Sequence, residues 1–164
     1  MSEDNKRKAM RLRNYDYSSN GAYFITVCVK DMKRVLSDVV GADDLGSPQI
    51  RLTKYGRIVE NNILKMNGIY SNVNVDTYVV MPNHIHFILS VTNGAPGSSP
   101  PTNTVSKFVT ALKKFTNKEI GKKIWQRGFY DHIIRNDEDY NVRSRYIEEN
   151  PAKWLLMKDE YYIK

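Results

Sequence analysis

Residues 82–86 read Pro82-Asn83-His84-Ile85-His86 and place two of the chain's three histidines one residue apart. Val79, Val80 and Met81 precede them and Phe87, Ile88 and Leu89 follow, a composition that suits a strand. Residues i and i+2 of a strand point to the same face. Both imidazoles then stand on one side, their backbones about 6.5–7 Å apart (two rises of roughly 3.3 Å). Ile85, Phe87, Leu89 and Val91 fall on the other side as an apolar stripe suited to a core. A sheet that buries one face and presents a histidine pair on the other is an arrangement for holding a metal ion. The spacing alone is a weak signal, and ordinary polar residues on a solvated strand would give the same pattern.

The last third of the chain offers a complement. Asn136 makes a good helix N-cap, with Asp137, Glu138 and Asp139 in the first turn, where carboxylates favour the helix dipole. On that helix Tyr146 and Asn150 are four residues apart and share a face. A phenol and an amide oxygen projecting toward an open sheet face would complete what His84 and His86 begin. Two imidazoles and a neutral oxygen, with no thiolate, favour Mg²⁺ or Mn²⁺ over structural zinc. Equally, Tyr146 fits as a packed helix tyrosine, one of 11 tyrosines, and Asn150 as a helix C-terminal cap before Pro151. Spacing does not break this tie.

The elements that must position these residues follow from periodicity. Residues 22–29 read as a strand, and 37–50, with two glycines, Asp43-Asp44 and Pro48, as a loop. A helix runs from about 53 to 67 and stops at Gly68. Strands follow at 73–81 and 84–92, with Pro82-Asn83 as a turn or kink between them. Residues 93–103 form a Pro/Gly/Ser-rich flexible loop. A basic amphipathic helix comes next, about 104–120, capped by Gly121, then a strand at 128–135. The last helix is expected to end near Asn150, because Pro151 disfavours the α region in the residue before it. The order β-α-β-β-α-β plus a helix predicts an α+β, ferredoxin-like split βαβ antiparallel sheet with helices on one face and an extra C-terminal helix carrying the tyrosine.

With 164 residues, one domain spanning 1–164 is expected, large enough for a core without disulfides. Cys28 is the only cysteine and lies in an apolar stretch, which fits a buried structural role. No apolar run approaches the ~20 residues of a membrane span, and the N-terminus is charged rather than signal-like, so a cytoplasmic protein without membrane contact is expected. The net charge of +7 is concentrated in a basic N-terminal arm at 1–13 and in residues 105–135. Basic residues interleaved with aromatics suit a nucleic-acid backbone and stacked bases. The candidate contacts are Arg11, Arg13, Lys107, Lys113, Lys114, Trp125, Arg127, Tyr130 and Arg135. A merely soluble basic surface is the competing reading.

Four stretches taken together resemble the single-tyrosine HUH transposases, most closely their REP-associated tyrosine transposase branch. They are Asn14-Tyr-Asp-Tyr-Ser-Ser-Asn-Gly-Ala-Tyr-Phe-Ile-Thr-Val27, Tyr78-Val-Val-Met-Pro-Asn-His-Ile-His-Phe-Ile-Leu89, Ile124-Trp-Gln-Arg-Gly-Phe-Tyr-Asp-His-Ile-Ile-Arg135 and Tyr146-Ile-Glu-Glu-Asn-Pro-Ala-Lys-Trp154. The likeness runs over roughly residues 11–156 in the family's order. It implies a ferredoxin-like nuclease domain that cuts and rejoins single-stranded or hairpin DNA, as a monomer or homodimer. By the same resemblance His84 and His86 match the metal ligands, Tyr146 the nucleophile, and Asn150 the third ligand one helical turn later.

In that chemistry a phenol, weak as a nucleophile at neutral pH until deprotonated or set beside a cation, attacks phosphorus and leaves a 5′-phosphotyrosine and a free 3′-hydroxyl. The covalent bond conserves the phosphoester energy, so rejoining needs no ATP. His132, the third histidine, fits either a structural role or an accessory one as general acid or DNA contact. Three alternatives stand beside the transposase reading. One is a catalytically retired DNA-binding regulator, the second a single-stranded nucleic-acid-binding module, and the third a metal-dependent phosphodiesterase that works through water.

Overall fold

The computed structural model describes residues 21–41, 47–92 and 104–161. The N-terminal arm with Arg11 and Arg13 and the loop at 93–103 lie outside the described residues. Strand β1 (Gly21–Cys28) is built from the β-branched and aromatic run expected at 22–29. It is followed by β2 (Ser37–Val40), β3 (Gln49–Leu52), helix α1 (Lys54–Ile69), β4 (Val73–Val80), β5 (His84–Val91), α2 (Thr104–Ile120), β6 (Tyr130–Ile134) and α3 (Asp137–Tyr161). Four strands form one sheet in the order β4-β5-β1-β6, every neighbouring pair antiparallel. Strand β5 thus lies between β1 and β4, the two strands that flank α1. This is the split βαβ order the alternation of elements predicts.

The sheet separates two apolar clusters, as its period of two dictates. On one face Tyr23, Ile25 and Val27 of β1 and Ile85, Phe87, Leu89 and Val91 of β5 meet α1 and α2. On the other, Phe24, Ile88 and Ile134 meet Ile147 and Trp154 of α3. Helices α1 and α2 thus cover one face, and the extra helix with the tyrosine lies on the other, as expected. The histidine face lies under α3, because that helix has its own apolar residues to bury.

Two expectations are corrected. Residues 37–50 are not all loop: β2 and β3 pair with each other, and Val39 and Ile50 extend the second cluster beside α3. Helix α3 also runs past Asn150, with Pro151 inside it. Proline there removes one intrahelical donor, but Trp154, one turn on, is buried in the second cluster with the Arg34 guanidinium over its ring. That burial offsets the loss and carries the helix onward.

Close tolerances fix α1 against the sheet. The Thr53 hydroxyl accepts from Gly56 N, a helix N-cap, and donates to Val35 and Leu36 carbonyls. A β-carbon on Gly56 would sit 1.9 Å from the Leu36 oxygen, so only glycine fits.

Candidate active site

The corner between β4 and β5 is tied down on three sides. Met81 N donates to His84 O, Leu36 N to Pro82 O and Val29 N to Asn83 O, each at 2.9–3.0 Å. Asn83 is fully buried, and its Oδ1 lies 2.7 Å from His84 Nδ1. An amide oxygen only accepts, so Nδ1 carries the proton and the lone pair of neutral His84 resides on Nε2. Two pairs along the strand from His84, Thr26 of β1 stands opposite His86. Its hydroxyl is 2.8 Å from His86 Nδ1, which allows the same tautomer there. Both rings are oriented by a neighbour through one nitrogen, the arrangement that metal-binding histidines use.

The two imidazoles face each other with ring centroids 4.5 Å apart. They are 2% and 5% exposed, which removes the competing reading of ordinary polar residues on a solvated strand. Burial lowers the His84 pKa to about 4, against a smaller opposing contribution from the Asn150 side chain hydrogen-bonded beside it. Burial and then the nearby His84 hold His86 well below the usual histidine range. Both are neutral at pH 7, the form that can donate a lone pair.

Helix α3 supplies the other half. The Tyr146 ring lies 5.4 Å from the His86 ring and 5.7 Å from Phe24, edge-on to both, and Phe24 stacks on His86 at 5.1 Å. Asn150, one turn on, is fully buried beside His84. The buried His86 Nε2 has no hydrogen-bond partner among the described residues. Strand and helix therefore bring His84, His86, Tyr146 and Asn150 to one place. Nowhere among the described residues do three His, Cys, Asp or Glu side chains converge, and the Asn150 amide is the side chain from α3 that lies beside His84.

No family model matches the chain. A protein of Escherichia coli named REP-associated tyrosine transposase is 28% identical over 147 residues, which cover 88% of this chain and 76% of that protein. An uncharacterized protein of Haemophilus influenzae is 28% identical over 177 residues, 96% of this chain and 93% of the relative. The solved structure of a REP-associated tyrosine transposase bound to a REP hairpin superposes with a TM-score of 0.62 at 26% identity, over 87% of this chain and 73% of that one. In sequence and in fold the chain is similar to the REP-associated tyrosine transposases.

The other candidate residues are distributed unevenly. Tyr130 of β6 is 38% exposed and stands opposite Thr26 on the histidine face, where a base can reach it. Arg127 and Arg135 are exposed. Lys107 and Lys114 are exposed on α2, which packs on the opposite face of the sheet from His84 and His86. Lys113 is already engaged by the Gln126 and Gly128 carbonyls, so it braces a loop. Trp125 is buried, and its Nε1 donates to Thr116 Oγ1 at 2.7 Å. It is a core residue and does not offer a stacking surface. His132 Nε2 pairs with Asp139 Oδ2 at 2.8 Å, away from His84 and His86. Cys28 is only partly buried, at the end of β1 opposite His84.

Several residues of the site carry little signal in the sequence. Phe24, Thr26 and Asn83 orient the imidazoles and the phenol, and of these only Asn83 has a sequence signal, its place beside His84. Helical spacing predicts that Tyr140 faces away from the sheet if Tyr146 faces the histidines. Instead it packs against the second cluster, and its hydroxyl donates to Asp76 Oδ2 at 2.8 Å. Asp76 is the extra residue of a bulge in β4, between Val75 and Thr77, and a bulge has no clear signature in the run 73–80.

Proposed function

We propose that this chain is a metal-dependent, transposase-type endonuclease that cleaves and rejoins single-stranded or hairpin DNA through a 5′-phosphotyrosine at Tyr146. The observation that carries the reading is the convergence of a phenol from α3 on two buried, neutral imidazoles from β5. A transposase on hairpin DNA is also what the named relatives support, and the net charge of +7 suits a polyanionic substrate.

The residues fit a divalent cation. His86 offers a buried Nε2 that no described residue satisfies, the Asn83 contact leaves the His84 lone pair on Nε2, and Asn150 offers an amide oxygen. Two nitrogens and one oxygen with no thiolate suit Mg²⁺ or Mn²⁺. When bound, such an ion supplies charge neutralisation at a non-bridging phosphate oxygen.

The rest of the chemistry belongs to the chain. Tyr146 is held by its edge contacts with Phe24 and His86, so the phenol is oriented before substrate arrives. Its oxygen attacks phosphorus and gives up its proton, while the bond to the 3′ oxygen breaks and that oxygen is protonated. The 5′ end stays on Tyr146. Attack by another 3′-hydroxyl reverses the step and frees the phenol, which is strand transfer. Tyr140 is a rival tyrosine on the same helix, and burial, together with its donation to Asp76, raises its pKa to about 12.

The test is incubation with single-stranded hairpin DNA and Mn²⁺ followed by a denaturing gel. A covalent protein–DNA adduct is expected, with the mass label on the peptide containing Tyr146. Tyr146→Phe removes only the phenolic oxygen and should bind DNA without forming the adduct. Persistent cleavage by that variant, or label on another tyrosine, overturns the assignment.

A further inference from the structure

Two cations stand on the same stripe of α3 as Tyr146 and Asn150. Arg143 is three residues before the tyrosine and Lys153 seven after it, and 143, 146, 150 and 153 share one helix face. The Arg143 guanidinium lies over the Phe24 ring at 5.4 Å, and Lys153 Nζ lies over the Tyr146 ring at 4.8 Å. Phe24 and Tyr146 touch each other edge to face. The order across the surface is therefore Arg143, Phe24, Tyr146, Lys153, with the phenol flanked by positive charge. About 15 Å of helix separates the two cationic residues, yet both side chains lean onto the ring pair between them.

Neither cation is spent on the pairing its sequence position offers. Glu149 lies four residues before Lys153, the spacing of a helical ion pair. Among the described residues Lys153 makes no ion pair, and its ammonium rests on the Tyr146 ring. Arg143 shares Asp139 through Nε at 3.5 Å, and that carboxylate is already held more closely by His132 at 2.8 Å. The terminal amino groups of Arg143 meet no second carboxylate among the described residues. A guanidinium half committed through Nε keeps its fork for a phosphate.

We propose that Arg143 and Lys153 bind two phosphates of the DNA strand on either side of the one that Tyr146 attacks, so that the helix face grips the strand and threads it past the phenol. This inference rests on the nuclease reading above for the register of the strand, but the grip itself is a binding property and is measurable without chemistry. Purely structural cation–π contacts would stabilise α3 and leave DNA binding ionically unchanged.

The test is fluorescence anisotropy of labelled single-stranded oligodeoxythymidylate with the full chain in EDTA, across a series of salt concentrations. For a single strand, each phosphate that the protein no longer neutralises should flatten the slope of log affinity against log salt by about 0.7. Lys153→Met and Arg143→Met are each expected to flatten it by about that much, and the double variant by about twice as much. Lys153→Arg and Arg143→Lys, which keep the charge, should retain the wild-type slope. If Arg143→Met does not fold, Lys153→Met and Lys153→Gln decide alone. Methionine variants with wild-type slopes, or a wild type that shows no salt-dependent binding, overturn the proposal. The Mn²⁺ adduct assay separates the two readings. A flattened slope with no adduct in the wild type leaves the grip standing and sinks the nuclease, whereas an unchanged slope with a wild-type adduct does the reverse.

Discussion

His84 and His86 owe their availability to what holds their other nitrogens. Asn83 Oδ1 and Thr26 Oγ1 take the Nδ1 positions and turn both Nε2 atoms toward α3. Asn83→Ala should therefore weaken Mn²⁺ binding by about 10–100-fold although it removes no ligand, the usual cost of removing the group that orients one; calorimetric titration would measure it, and an unchanged affinity would contradict the proposed ligand set. His86→Ala should abolish the rise in Tm that saturating Mn²⁺ gives the wild type. A different outcome is expected at Tyr140, whose hydroxyl contacts Asp76 and no residue of the site. Tyr140→Phe should cost about 1 kcal/mol of stability and still yield an adduct on Tyr146. At this scale the motif Pro82-Asn83-His84-Ile85-His86 is legible because a strand's period of two is rigid. Trp125 is not, because an indole beside Arg127 looks the same in sequence whether it caps a core or awaits a base, and only its bond to Thr116 tells them apart.

Helix α3 is the element on which the site depends. Its start is defined by Asn136, whose Oδ1 accepts from Asp139 N at 2.8 Å, as the sequence predicts. Asn136→Ala should lower stability by about 1 kcal/mol, readable as a lower midpoint in urea. The strands of the main sheet and the two other helices are legible within a residue or two, since each carries a long periodic pattern. The four-residue strands β2 and β3 are not, because their patterns are too short to stand out from the glycines, aspartates and Pro48 around them. The continuation through Pro151 is hidden for another reason. A local backbone preference argues for a stop, and burial of Trp154 against a surface distant in sequence overrides it. Gly56 illustrates the same limit on α1: Gly56→Ala improves helix propensity yet should destabilise the fold by about 1–3 kcal/mol as the Leu36 carbonyl is displaced.

For the molecule as a whole, the central strands are enclosed between two layers, α1 with α2 on one side and α3 on the other. Enclosure of neutral histidines makes stability depend on pH. The folded His84 pKa of about 4 lies below the ordinary 6.5, so between those values the unfolded chain binds more protons and acidification favours unfolding. Metal-free protein should therefore lose Tm as pH falls from 6.5 toward 4, and replacing both histidines should flatten that profile. The second layer has a further consequence. Tyr146 and Asn150 belong to a single peripheral helix, whereas His84 and His86 belong to an innermost strand, so the candidate site is a seam between two units that can open separately. If α3 lifts while the sheet endures, its backbone amides should trade hydrogen for deuterium sooner than those of β1 and β5. An ion that bridges the seam would slow that exchange in α3 selectively, a signature that belongs to the seam and not to the fold.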